Sequence, residues 1–254
     1  MARLTELSGN ELQDLLALIG DADSVELKLT LLETARASVG AALGVDALDA
    51  QIRQVFFFDT PDLALNRAGL VVRARRRQGE RGDTVLKLRP VVPAELPEEL
   101  RRSTTFNVEV DAMPGGFVCS ASFKGAADNR EIRRTAAGDA PIRKLFSKEQ
   151  RAFYAAHAPE GLALDQLTAL GPIPILKVKV RPEGFSRRLV GELWLYPDGS
   201  QIVELSTKAK PQEAFQVATE TRAFLETRGV DLSAEQQTKT KTALEFFASD
   251  SVPV

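Results

Sequence analysis

Cysteine and histidine are almost missing from this chain. Cys119 is the single cysteine in 254 residues, which excludes an internal disulfide and fits a reducing compartment. His157 is the single histidine, so paired-histidine catalysis and histidine-rich zinc sites are excluded. At the end of an alanine-rich helical segment it reads as a surface or capping residue, and Cys119 reads as a small buried apolar one. No uninterrupted apolar run approaches the roughly 18 residues of a membrane span. The amino-terminal residues carry Glu6, Glu11 and Asp14 where a signal peptide would be apolar. A soluble cytoplasmic protein without a membrane partner is expected. A formal net charge of −2 gives no reason to expect nonspecific nucleic-acid binding, so any basic site must come from local clustering. No Gly-rich P-loop motif is present, and no internal repeat or low-complexity tract is evident.

With 44% hydrophobic residues, the chain can bury a sizeable core, and much of its apolar content alternates. Residues 5–19 carry Leu12, Leu15, Leu16 and Ile19 at helical spacing, with Ser8 as the expected N-cap. Period two then takes over. Strands are expected over 24–32, 51–58, 70–77, 84–89, 105–111, 173–180, 185–196 and 201–207. Residues 78–83 read as a polar hairpin loop, 90–100 as a loop, and 116–169 as mostly helical with a break at 136–141. Pro197-Asp198-Gly199-Ser200 is a turn, and the chain reads as helical from Pro211 on, with a second helix over 234–248. The expected organisation is an N-terminal helical extension over 1–22 and a single domain over 23–250. The fold class is α+β, on an antiparallel sheet or barrel.

Charge follows the same alternation. Glu26 with Lys28, Arg73 with Arg75, Lys87 with Arg89, Glu109 with Asp111, and Lys177 with Lys179 and Arg181 each share a strand face. The plain explanation for any one strand is a polar face turned to water. Three of these strands show only basic residues, however, and packing them side by side costs repulsion unless an anion or carboxylates compensate. A closed barrel with a charged interior would bind a polyanion and could hold a hard metal ion.

The stretch FFFDTPDLALNRAGLVVRARRR, residues 56–77, resembles the signature of the CYTH proteins, or triphosphate tunnel metalloenzymes. There a D-T-P-D turn precedes a strand bearing R-x-R. The resemblance covers most of the chain and implies a closed antiparallel eight-stranded β-barrel, the triphosphate tunnel, with peripheral and C-terminal helices. It implies Mg²⁺ or Mn²⁺ as cofactor and a triphosphate or polyphosphate-type anion as partner. Carried over by motif, Glu26 and Lys28 are the catalytic pair, matching the end of E-x-E-x-K. Lys28, Arg73, Arg75, Lys87, Arg181 and Arg187 are the substrate-binding set. Glu26 and Glu204 are metal ligands, with Glu192 upstream of the latter, and Glu109 and Asp111 offer ligands from another wall. Two family carboxylates are replaced, by Ser24 in the first motif and by Ser206 in the late E-x-E.

The resemblance implies a divalent-metal-dependent phosphohydrolase acting on inorganic triphosphate or a small organic triphosphate. The alternative is a noncatalytic binder of polyphosphate or a phosphorylated metabolite, favoured by the two serines. Adenylyl cyclase activity ranks below both, because nothing in the sequence identifies a base-recognising pocket. Oligomeric state is left open.

Overall fold

Alternation dictates a sheet whose two faces differ in kind, and the sheet closes on itself. The computed structural model describes residues 9–232, 236 and 238–250. Nine strands form a closed barrel: β1 (Ser24–Leu31), β2 (Gln51–Asp59), β3 (Leu70–Arg77), β4 (Glu80–Leu88), β5 (Phe106–Met113), β6 (Gly116–Ala127), β7 (Thr168–Val180), β8 (Leu189–Leu195) and β9 (Gln201–Ala209). Their order around the barrel is β1-β5-β6-β4-β3-β2-β7-β8-β9. Neighbours run antiparallel except β1 and β5, which pair in parallel from Ser24 opposite Glu109 to Leu27 opposite Ala112. The closed barrel matches the expectation, with one strand more than eight and one parallel joint.

The extra strand is β6, inside the segment expected to be mostly helical. Phe117, Cys119, Ala121 and Phe123 alternate there with Val118, Ser120, Ser122 and Lys124. Small alanine and serine side chains suit either state, and Val118 interrupts the polar parity, so helix propensity masked a strand. β4 likewise begins earlier than expected. Gln78-Gly79 alone makes the hairpin turn, with Gly79 at φ +71°, a conformation that favours glycine.

One parity of the strands faces outward and builds the main core. Phe56, Phe58, Val72, Leu86, Val108 and Phe123 pack outside the barrel against Ile132 of α5 (Asn129–Ala136) and Phe153 of α6 (Lys148–His157). Leu15 and Ile19 of α1 (Gly9–Gly20) join them, whereas Leu16 is exposed; the expected N-cap Ser8 and the Leu12 side chain lie outside the described residues. Each fully buried apolar side chain of this kind contributes about 1.5–3 kcal/mol. A second external cluster joins Val203 and Leu205 of β9 to Val39 of α2 (Arg36–Ala42) and Leu225 of α7 (Ala214–Thr227). Two short helices, α3 (Ala64–Arg67) and α4 (Glu98–Arg101), lie in loops.

The third apolar cluster lies within the barrel. Val55, Phe57, Val71, Ile173, Trp194 and Ile202 have the inward parity and pack against Ala243, Leu244 and Phe247 of α8 (Lys239–Asp250). α8 thus closes one end of the lumen. It begins later than the helix expected over 234–248, of which 234, 235 and 237 lie outside the described residues. Among the described residues no helix is long and apolar enough to cross a membrane.

The D-T-P-D turn has a structural task. Asp59 accepts backbone N–H donations from Thr60 (2.8 Å), Leu65 (2.9 Å) and Asn66 (3.0 Å), tying the end of β2 to α3. Gly69, at φ +76°, then admits the chain to β3; a Cβ there would sit 2.3 Å from the Arg89 carbonyl oxygen. Together they fix the register that turns Arg73 and Arg75 inward.

Candidate functional site in the barrel lumen

The inward parity above the apolar floor is charged, and its charges fall into separate groups. Glu26 on β1 stands opposite Asp111 on β5, and Ser24 opposite Glu109. Carboxylate oxygens of Glu26, Glu109 and Asp111 lie within 4.8 Å of one another. Lys28 reaches Asp111 at 2.7 Å and Glu26 at 3.2 Å, Lys87 reaches the other Asp111 oxygen at 2.8 Å, and Lys208 contacts Glu109. Burial by itself would raise the Asp111 pKa. Lys87 and Lys28, through charge and hydrogen bonds, outweigh it and hold this carboxyl well below its usual range. Glu26 is lowered in the same way, burial being outweighed chiefly by Lys28 and Lys208. Lys87 is itself lowered, by burial first. For Lys28, Asp111 and Glu26 overcome burial and raise the pKa.

The two replaced positions sit beside this group. Ser24 Oγ donates to Glu109 Oε2 at 3.2 Å, and Ser206 Oγ donates to Glu26 Oε1 at 3.4 Å. Neutral hydroxyls thus orient the carboxylates present without adding charge. Three carboxylates from two adjacent strands suit a hard cation, which needs few protein ligands when phosphate oxygens and water complete its shell.

Glu192 and Glu204, also expected among the metal ligands, face each other across β8 and β9. They form a distinct group around Lys239 of α8, which contacts Glu192 and lies 2.7 Å from Glu204. Lys177 holds the other Glu192 oxygen at 2.8 Å. Burial would raise the Glu192 pKa, but Lys239 and Lys177 hold it well below the usual carboxylate range.

β3 stands opposite β1 in the ring, and with β2 it makes the arginine wall. Arg53 pairs in register with Arg77, and Arg73 lies between Phe57 on β2 and Val85 on β4. Arg75 donates twice to Asp83 Oδ2, at 2.8 and 3.1 Å. Arg73 differs: its Nε is shut off from solvent and has no hydrogen-bond partner. Burial, then the neighbouring Arg75, push its pKa down to about 10, still leaving it protonated at neutral pH. Arg53 is pushed down to about 10 by burial and then by Arg75.

The lumen therefore collects Glu26, Lys28, Arg73, Arg75, Lys87, Glu109, Asp111, Glu192 and Glu204 from the expected set. Arg187 is not among them; it lies outside the barrel, where Glu213 and Glu220 beside and on α7 bind it at 3.2 Å each. Arg181 is exposed just beyond the end of β7. The sequence reading missed two lumen cations. Arg53 sits in the strand expected over 51–58, where its same-face neighbours Val55 and Phe57 are apolar and so give no charge alternation to mark it. Lys239 belongs to a helix, 47 residues from Glu192, where strand alternation gives no signal. Cys119 is buried on β6, its thiol pushed up to about 11 by burial, and His157 ends α6 against the Phe153 ring.

No family model and no curated protein matches the sequence. Solved structures do. A candidate adenylyl cyclase from Hippeastrum with a dominant triphosphatase activity aligns with TM-score 0.65 and 18% identity, covering 87% of this chain and 95% of its own. A candidate adenylate cyclase from Bacillus halodurans aligns with TM-score 0.61 and 14% identity, covering 87% and 97%. At these identities the likeness is one of fold, and the chain is built on the closed tunnel barrel that its CYTH resemblance implied.

Proposed function

We propose that this protein is a divalent-metal-dependent phosphohydrolase acting on inorganic triphosphate or a small organic triphosphate. The observation that carries the reading is Arg73, a half-buried arginine whose Nε is shut off from solvent and unpartnered, on the wall facing three clustered carboxylates. Burying an unpaired charge is expensive, and an entering polyanion would remove that cost. Arg73, Arg75 and Arg53 would bind non-bridging phosphate oxygens, the guanidinium fork matching two oxygens at once. Glu26, Glu109 and Asp111 would hold Mg²⁺ or Mn²⁺, which supplies neutralisation of charge on the phosphate chain. Lys28 and Lys87, which pair with Asp111, would bind phosphate oxygens when the carboxylates hold the ion. Phosphoryl transfer asks little of a protein beyond such positioning and charge compensation. The dominant triphosphatase activity of the Hippeastrum protein supports the choice of substrate class.

A second reading, a noncatalytic polyphosphate or phosphometabolite binder, is favoured by one feature. Each carboxylate of the three-membered group already has a lysine partner, and Ser24 and Ser206 add no negative charge. Phosphate release from triphosphate, with and without Mg²⁺ or Mn²⁺, separates the two. Metal-dependent release is expected; tight metal-independent binding without turnover would select the binder. ATP in the same assay, with cyclic AMP as readout, is expected to give no cyclised product.

A further inference from the structure

Outside the arginine wall and the three-carboxylate group, Lys177 and Lys239 both serve Glu192, and of the two Lys239 also reaches Glu204. Lys239, in the first turn of α8, sets its ammonium between Glu192 of β8 and Glu204 of β9. Those glutamates are direct cross-strand neighbours, and like charges so placed repel. Trp194 completes the enclosure. Its indole N–H donates to Glu192 at 3.2 Å, and its ring centroid lies 5.2 Å from the Lys239 ammonium. The Tyr196 hydroxyl donates to the Lys239 carbonyl at 3.0 Å, and Ala243, Leu244 and Phe247 anchor the helix in the apolar floor. This is a cation site whose cation is part of the chain.

We infer that Lys239 is a built-in counter-cation that keeps a divalent ion out of the Glu192–Glu204 pair. The protein then takes one divalent ion, at Glu26, Glu109 and Asp111, and removing the Lys239 charge opens a second site. The inference rests on the proposed metal-binding reading for the first ion; the second position is argued from Lys239 alone. An ammonium neutralises two carboxylates as a metal would, but it offers no open coordination position for a water or a phosphate oxygen. Fixing it there commits the barrel to single-ion chemistry.

Counting Mn²⁺ equivalents on the full chain without substrate, by the electron paramagnetic resonance signal of free Mn²⁺, tests this. About one equivalent is expected for the unaltered protein, about two for Lys239→Met, and about one again for Lys239→Met with Glu204→Gln. Lys239→Arg keeps the charge and should stay near one. Two equivalents on the unaltered protein, or no gain in a folded Lys239→Met variant, overturns the inference. Zero rising to one on Lys239→Met supports it while removing the Glu26 group as a metal site. Zero throughout overturns both. Should Lys239→Met fail to fold, Glu204→Gln alone decides: an unchanged count supports the exclusion, and a lost equivalent contradicts it.

Discussion

On the wall that runs from β1 through β5 and β6 to β4, half-buried Lys28 and Lys87 share Asp111; on the wall made by β2 and β3, Arg73 leaves its Nε without a partner. Both walls come from alternating strands with apolar residues behind them. They differ in how the charge is satisfied. The lysine wall is internally neutralised. The arginine wall carries uncompensated charge and has capacity left for a ligand. The two walls therefore respond differently to the loss of one charge, and each can be broken separately.

The largest effect is expected at Asp111. Asp111→Asn would leave half-buried Lys28 and Lys87 without their shared counter-charge, Lys28 keeping only Glu26, at a cost of about 3 kcal/mol in denaturant unfolding. Because the folded pKa of Asp111 lies below its unfolded value, its contribution is complete above about pH 4 and is lost as pH falls through the folded pKa. Thermal melts should show that acid-side loss in the unaltered protein and a flatter profile in Asp111→Asn.

An intermediate effect is expected where the carboxylate group is thin. Ser24→Glu and Ser206→Glu add donors beside Glu109 and Glu26, and each should raise metal-dependent phosphate release roughly tenfold. Unchanged release in both would show that donor number does not limit turnover. The smallest effect belongs to Arg187. Its partners are half-exposed and outside the lumen, so Arg187→Ala should cost no more than about 1 kcal/mol of stability. Calorimetry should show its triphosphate binding unchanged within about twofold. A larger loss would extend the site beyond the barrel.

The barrel was legible in the sequence because its strands alternate and because the D-T-P-D turn marks one hairpin. The charged lumen was legible for the same reason: Arg73, Arg75, Lys87, Glu109 and Asp111 all lie on expected strands and face inward. β6 was not legible, because its alanines, serines and glycines satisfy either periodicity. The parallel joint of β1 and β5 was hidden too, since alternation gives the faces of a strand and not its neighbour. Lys239 was hidden for a different reason. A single lysine on a helix has no periodic signature, and its partners are set by how α8 closes the barrel. The division between the carboxylates around Lys28 and those around Lys239 depends on that closure, so motif order alone grouped Glu204 with Glu26.

The claim that the arginine wall is the anion site is tested most directly by calorimetric titration of triphosphate into the unaltered protein and Arg73→Ala, with unfolding measured on both. Removal of a guanidinium that donates charged hydrogen bonds predicts an affinity loss of about 30- to 100-fold. Folding stability should be unchanged or higher, since a charged group with a buried, unpartnered Nε is lost. Unchanged triphosphate affinity in a folded Arg73→Ala protein would contradict the account.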